Sequence, residues 1–481
     1  MKDDIAWLLY VARRWLGGRT LYQDLVEVNP PLIIWLSAIP SLLGRWISVS
    51  PKFIAIPLFI CQSLASAWWT ASILRRAGGL FSDRWSVFAA MGTVLLLLPG
   101  ADLGQREHLL VAGFLPYLAL SNLSLEGQRI SRWEGVGAGV YAALFCALKP
   151  LYAVCFLPVE VVMLLSGRKP WRSMPIAAAA TLIGYVILVI LLCPAYLRQA
   201  VPMALALYGA TDVSFFELLT DSGSLLAAEA LAIGLLALRW RTLRFRTLVT
   251  ILVMFAVAST LVCFSDRKDW YYHRIPAAIS TALSLMVWVA DEVGLRKWTI
   301  KPPLMAAVVA LLVLCVSSIR QWQPEFQAAL EPRQTVVERL ENIVRTEHAR
   351  TYMAFSEWLA LGFPVVNNTG VKWASRFDSM WALKGEVWRK GFDRAAAREW
   401  PIARWVTHDF ISSCPDIVVV DTREPLNYIN VLSSADPAFA RVWTRYKRIA
   451  AFDGLIVYKR AMGGCLDVWV AAGADSGIMT R

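Results

Sequence analysis

Histidine and charge are scarce in this chain, with four His and 17% charged residues among 481. Ordinary soluble domains carry about 25% charged residues. A water-soluble fold of this length cannot hide the 57% of residues that are hydrophobic, so a soluble enzyme is excluded. No CxxC and no His/Cys spacing of zinc-ligand type occurs, which removes a zinc site from consideration. Internal repeats and low-complexity tracts are absent as well, which excludes solenoids and disordered linkers. No single basic face exists either: the net charge of +12 is dispersed in short Lys/Arg clusters between apolar runs, so the chain is not a nucleic-acid binder.

What the chain has in quantity is apolar surface: a mean hydropathy of +0.50 and 22 Trp describe a polytopic α-helical membrane protein. Apolar runs of spanning or near-spanning length begin near Pro31, Phe53, Trp85, His108, Trp133, Leu151, Pro175, Gly223, Thr247, Ile275 and Pro303, the last ending near Ser318. From about Gln321 the composition turns mixed and charged. An amphipathic helix is expected around Gln334 to Arg345, and strands at DIVVVD (Asp416 to Asp421) and GLIVYKR (Gly454 to Arg460). The division expected is an outer-face loop with an amphipathic helix over 1–29, a transmembrane bundle over 30–320, and a soluble α/β domain over 321–481. Six of the eight Cys lie in or beside apolar spans. Cys414 and Cys465 are the two able to bridge, if their domain faces an oxidising space.

Orientation follows from the positive charge. Arg75-Arg76, Arg129/Arg132, Arg168-Lys169/Arg172, Arg239/Arg241/Arg244/Arg246 and Arg296-Lys297/Lys301 fall at every second loop, which assigns those loops to the cytoplasm. The loops between them, Ala101 to Glu107, Lys149-Pro150, Pro194 to Ser222 and Ser265 to Arg274, then face outward together with the soluble tail. At the front, parity places the acidic segment outside if the short run from Pro31 to Leu43, interrupted by Pro40, forms a re-entrant or tilted half-span; the alternative is that one of the later runs is not a separate crossing. The short run's thirteen or so residues cover only about 20 Å of a roughly 30 Å core.

The first thirty residues place Asp3, Asp4, Asp24 and Glu27 next to this apolar body, ending in Asn29-Pro30-Pro31. A carboxylate at a bilayer surface is costly unless it is paired or functional. The early Asp, the amphipathic helix, G-x-x-L-Y-x-D-x-x-E-x-N-P-P-L and, further on, G-Q-R-E-H at the head of a helix resemble the bacterial membrane glycosyltransferases of the GT-C class. That class includes the protein O-mannosyltransferases and the lipid A aminoarabinose transferase. The resemblance covers most of the membrane region. It implies a GT-C-like bundle in the bacterial inner membrane, inverting transfer of a sugar from a polyprenyl-phosphate donor, and a lipid, glycan or protein acceptor on the periplasmic face. Members of the class begin with a transmembrane helix ahead of the first Asp. This chain begins at Met1-Lys2-Asp3, and an in-frame apolar run of about 20 residues is expected upstream.

The resemblance makes Asp4 the general base, against a plain reading of Asp3 or Asp4 as a helix N-cap. Glu27 matches the acidic residue before Pro-Pro, to orient substrate or share a divalent metal with Asp4, against ordinary interfacial solvation. Asp24 is the alternate for either role. For the leaving phosphate, Arg106 offers a bidentate fork fixed by Glu107 with His108 beside it, against an interfacial salt bridge. Lys149 is a second cation on a side otherwise poor in them. Lys268, Tyr272, His273 and Arg274 combine cations with aromatics for phosphate or sugar contact, against an aromatic interface belt. Two other classes fit the same composition: a lipid-linked sugar transporter or flippase, which needs paired broken helices in two related halves, and a noncatalytic envelope-assembly protein.

Overall fold

In the computed structural model, which describes residues 2–295, 305, 307–319, 334–391 and 399–461, the apolar runs become helices. Five are long and apolar enough to cross a membrane: Lys52–Ala77, Arg106–Leu125, Ser173–Leu192, Arg246–Asp266 and Tyr271–Val293. Phe215–Asp221 and Gly223–Leu238 form a further pair bent by 69°. Shorter apolar helices are Pro31–Ile47, Arg84–Leu97, Pro150–Leu165 and Ala307–Ile319, and the run at Trp133 becomes Arg132–Cys146, begun by a Ser131/Glu134 capping box. This is the make-up of a multi-pass helical membrane protein with a small mixed sheet near its C-terminus.

The chain divides into two compact units, one of Asn29–Leu192 and Asp212–Gln327, the other of Met1–Val28, Cys193–Thr211 and Ala328–Arg481. The expected boundaries change accordingly. Segment 1–28 is not a division by itself, and 193–211, expected as an outer loop of the bundle, folds with the sheet. The reason is packing, since each segment is too short to bury its own apolar side chains.

Within the helical unit, the loops sort to two ends. At one end Arg76 pairs with Glu134 at 2.9 Å and donates to the Arg129 carbonyl, Arg244 pairs with Asp291 at 2.8 Å, and Arg239 pairs with Glu292 at 2.9 Å. At the other, Lys149, Glu107, Asp266 and His273 meet, and the Tyr271 hydroxyl donates to the Leu98 carbonyl at 2.8 Å. The alternation of basic and non-basic loops is thus a physical separation. Arg296, Lys297 and Lys301 lie outside the described residues. Helices Arg132–Cys146 and Ser173–Leu192 approach closely because glycines face the partner: a Cβ on Gly139 would stand 2.3 Å from the Met174 carbonyl oxygen, and one on Gly135 2.2 Å from the Ser173 hydroxyl. This is small-residue packing of the kind apolar helices use where lipid removes the hydrophobic drive.

The run expected to stop near Leu43 continues as a helix to Ile47, with Pro40 inside it. A proline removes one helical hydrogen bond, and apolar helices tolerate this when nearby groups compensate. Leu32 and Trp35 meet Tyr185, so the helix packs beside the C-terminal half of Ser173–Leu192, away from its Arg172 end.

The second unit is built on a five-stranded sheet ordered β2-β1-β3-β5-β4, with β1 Thr351–Phe355, β2 Lys372–Trp373, β3 Ile417–Asp421, β4 Tyr446–Phe452 and β5 Leu455–Arg460. β2, β1 and β3 run parallel; β5 and β4 are antiparallel additions. The Val-rich β3 is central and buried along its whole length, as a strand covered on both faces must be. The expected strands at Asp416 to Asp421 and Gly454 to Arg460 are β3 and β5. The expected amphipathic helix is Val336–Thr346, with a Thr335/Glu338 capping box. β1, β2 and β4 carry no comparable signal in the sequence, β2 because it is two residues long and β4 because its Lys447-Arg448 pair suits an exposed edge. Cys414 is disulfide-bonded; Cys465 lies outside the described residues.

Candidate functional site

The carboxylates of the N-terminal segment sit in the sheet-bearing unit. Helix Asp3–Leu16 begins at Lys2, and no side chain caps it. Neither Asp3 nor Asp4 is therefore the N-cap, which removes that reading; both complement the helix dipole from the first turn, and the Asp3 carboxylate accepts the Asp4 N–H at 3.0 Å. Trp7, one turn beyond Asp4, donates its indole N–H to the buried Glu27 carboxylate. Asn367 holds this helix against the domain by donating to the Ala6 carbonyl at 2.9 Å, and Trp7 and Tyr10 pack on Phe363.

The segment after the helix is then pinned to the loop that follows β2. Val26 N–H donates to the Arg376 carbonyl at 2.8 Å, which brings Glu27 beside Asp378. The Asp378 carboxyl accepts the Ser379 N–H at 2.7 Å and the Trp381 indole N–H at 2.8 Å. Burial, together with the charges on Glu27 and Asp4, lifts its pKa from the ordinary aspartate value near 3.8 to about 7. Asp378 lies where loops leave the carboxyl ends of parallel strands, the edge at which open α/β sheets gather their sites. The sequence reading missed it. An isolated Asp in a mixed stretch carries no periodicity signal, and only the Val26–Arg376 bond makes it a neighbour of Glu27.

Asp24 is not part of this group. It is exposed, and its carboxylate accepts the Thr20 N–H at 2.9 Å, closing the turn that aims Tyr22 and Leu25 inward. One Glu27 oxygen accepts the Trp7 indole N–H, and among the described residues no group of three His, Cys, Asp or Glu is arranged to hold a metal ion. Beside Val26 opens a cleft of about 380 Å³ lined by Tyr22, Trp400 and Trp405 with Gln23, Gln199, Arg376 and Glu399 around them.

The expected phosphate residues gather at one end of the helical unit, but as ion pairs. Lys149 Nζ bridges Glu107 Oε1 at 2.9 Å and Asp266 Oδ2 at 2.6 Å, with the His273 ring nitrogens 3.3 and 3.4 Å away. The Tyr152 hydroxyl donates to the His273 carbonyl at 3.1 Å. Lys268 is paired with Asp212, and Arg274 with Asp269, while Arg274 also donates to the Asp221 carbonyl at 2.9 Å. The Arg106 guanidinium stands 5.9 Å from the centre of the Tyr272 ring, within a Trp270, Tyr272 and His273 cluster. Lys149, Lys268 and Arg274, three of the cations expected around a phosphate, are each paired with a carboxylate, which offsets the cost of taking a cation out of water.

His108 is buried at the same end. Its Nδ1 accepts the Gly104 N–H at 3.1 Å and its Nε2 faces the Leu95 carbonyl at 2.8 Å, so both nitrogens are spent on backbone. A separate apolar cavity of about 250 Å³, lined by residues such as Leu74, Phe81, Leu115 and Leu252, contains no ionisable side chain and lies toward the Arg76 end, away from Lys149.

No protein-family model matches the chain, and no curated protein matches it.

Proposed function

We propose that this protein is a membrane glycosyltransferase of the GT-C type, moving a sugar from a polyprenyl-phosphate donor to an acceptor on the periplasmic face of a bacterial inner membrane. The observation that carries the reading is the convergence of Asp4, Glu27 and Asp378 in three different settings. A carboxyl held protonated to higher pH beside two other carboxyls is the kind of arrangement acid–base chemistry uses. Asp4, half-buried, takes the proton of the acceptor hydroxyl as its oxygen attacks the anomeric carbon. The bond to the phosphate oxygen breaks with its electron pair leaving on the phosphate, inverting the centre. Glu27, held by Trp7, positions the base.

Two further features support the reading. The cleft beside Val26 offers indole walls and planar polar side chains, the chemistry that recognises sugar rings, at a volume within the roughly 300–1,000 Å³ usual for small ligands. Among the described residues the transporter alternative draws on one bent helix pair, where two related broken helices are needed.

The test is transfer from a radiolabelled polyprenyl-phosphate sugar by the purified protein. Asp4→Asn is expected to abolish transfer with membrane insertion and thermal stability intact. Turnover equal to wild type in that variant overturns the assignment of the base.

A further inference from the structure

A second polar groove, of about 490 Å³, lies in the sheet-bearing unit at the end of helix Asp3–Leu16, where Tyr10, Arg13, Arg14 and Arg19 meet Lys372 of β2. Arg13, Arg19 and Lys372 are exposed, Arg14 is half-buried, and no acidic residue lines the groove. Among the described residues none of these four cations has an ion pair or a side-chain hydrogen bond, whereas the cations at the non-basic end of the helical unit are matched to carboxylates at Lys149, Lys268 and Arg274. The Arg13 guanidinium lies 5.7 Å from the centre of the Tyr10 ring. Burial raises the Tyr10 hydroxyl above its usual range while Arg14, Arg13 and Arg19 oppose that shift, so three cations act on one phenol.

Local rules account for part of this. Arg13 and Arg14 in the last turn suit the negative end of the helix dipole, and a lysine on an edge strand blunts sheet-to-sheet pairing. Neither rule brings Arg19 back over the helix end. It arrives there through the turn at Gly17 and Gly18, the latter at a φ of 90° that a glycine adopts without strain. Four like charges around one concavity repel one another unless an anion is shared between them, and arginine forks with a neighbouring phenol are the donors that phosphate oxygens take.

We propose that the groove formed by Arg13, Arg14, Arg19 and Lys372 is a binding site for a phosphate-bearing group. The site is separate from the carboxylate group and does not depend on the glycosyltransferase reading. The phosphate is supplied by a lipid headgroup or by a soluble phosphate compound, and the two sources are separable by experiment.

The full chain in nanodiscs of neutral phosphatidylcholine is titrated by calorimetry with two probes, inorganic pyrophosphate and dihexanoyl phosphatidic acid. At least one is expected to bind saturably at one site per protein, more weakly as salt rises. Arg13→Gln with Arg19→Gln is expected to raise the dissociation constant at least tenfold, while Arg404→Gln, elsewhere on the same unit, leaves it unchanged. Binding of pyrophosphate alone assigns a soluble phosphate compound; binding of the lipid alone assigns a headgroup. Lys372→Gln, on an exposed edge, serves if the double variant does not fold and is expected to weaken binding in the same direction. Absence of saturable binding by both probes, or wild-type affinity in the variants, overturns the proposal.

Discussion

A carboxyl group beside two others keeps its proton to higher pH than an isolated one, and Asp378 is such a group. With its folded pKa raised to about 7, the folded state binds more protons than the unfolded chain between about pH 4 and pH 7. Stability is therefore lost as pH rises through that window and is level above it. Asp378→Asn, which keeps the shape and cannot ionise, should match wild type in melting temperature near pH 4 and exceed it by a growing margin up to about pH 7, with a constant margin beyond. A pH series of thermal melts on both proteins checks this. A constant difference across the series would mean that Asp378 titrates as an ordinary aspartate. At this scale Asp4 and Glu27 were legible, because acids beside apolar runs are rare. Asp24 was not separable from them, since its role is decided by the Thr20 N–H that it accepts. His108 read as a ligand because sequence cannot show that Gly104 and Leu95 already occupy both ring nitrogens.

Helices were the most legible elements, since a run of apolar residues in lipid has few alternatives to satisfying its backbone internally. Their ends were less so. The run expected to end near Leu43 continues to Ile47 with Pro40 inside it, and the stretch from Pro194 to Ser222, expected as a loop, holds helices Val201–Leu207 and Phe215–Asp221. The ionic knot at Lys149 joins the ends of three elements, Arg106–Leu125, Arg246–Asp266 and the helix that begins after His273. Removing only the cation leaves Glu107, which is fully buried, without its counter-charge. Loss of one partner of a buried pair costs about 3–5 kcal/mol, whereas removing both partners is far cheaper. Lys149→Met should therefore lower the melting temperature sharply, and adding Glu107→Gln should restore a good part of it. A double-mutant cycle by thermal denaturation in detergent measures the coupling. Additive losses would mean that the two residues do not share an ion pair in the membrane.

For the whole molecule, the decisive expectation is sidedness. Basic loops gathered at one end of the helical unit, with the Lys149 knot at the other, support a cytoplasmic assignment for the former. His408 is exposed on the sheet-bearing unit. In a cysteine-free background, His408→Cys should react with a membrane-impermeant maleimide from the periplasmic side of intact cells. Reaction only after the inner membrane is opened would invert the orientation and remove Asp4 from a periplasmic acceptor.

The sequence by itself determined that this is a multi-pass helical protein with a mixed α/β part, where the helices run, and which loops carry positive charge. These are local properties, set by the solvent each segment prefers. Only the tertiary structure decided that residues 1–28 and 193–211 fold with the sheet, that Asp378 joins Glu27, and that the cations from Lys149 to Arg274 are paired while those from Arg13 to Lys372 are not. Each of these depends on contacts between residues tens to hundreds of positions apart, and no periodicity or spacing along a chain encodes which distant charge will arrive beside another.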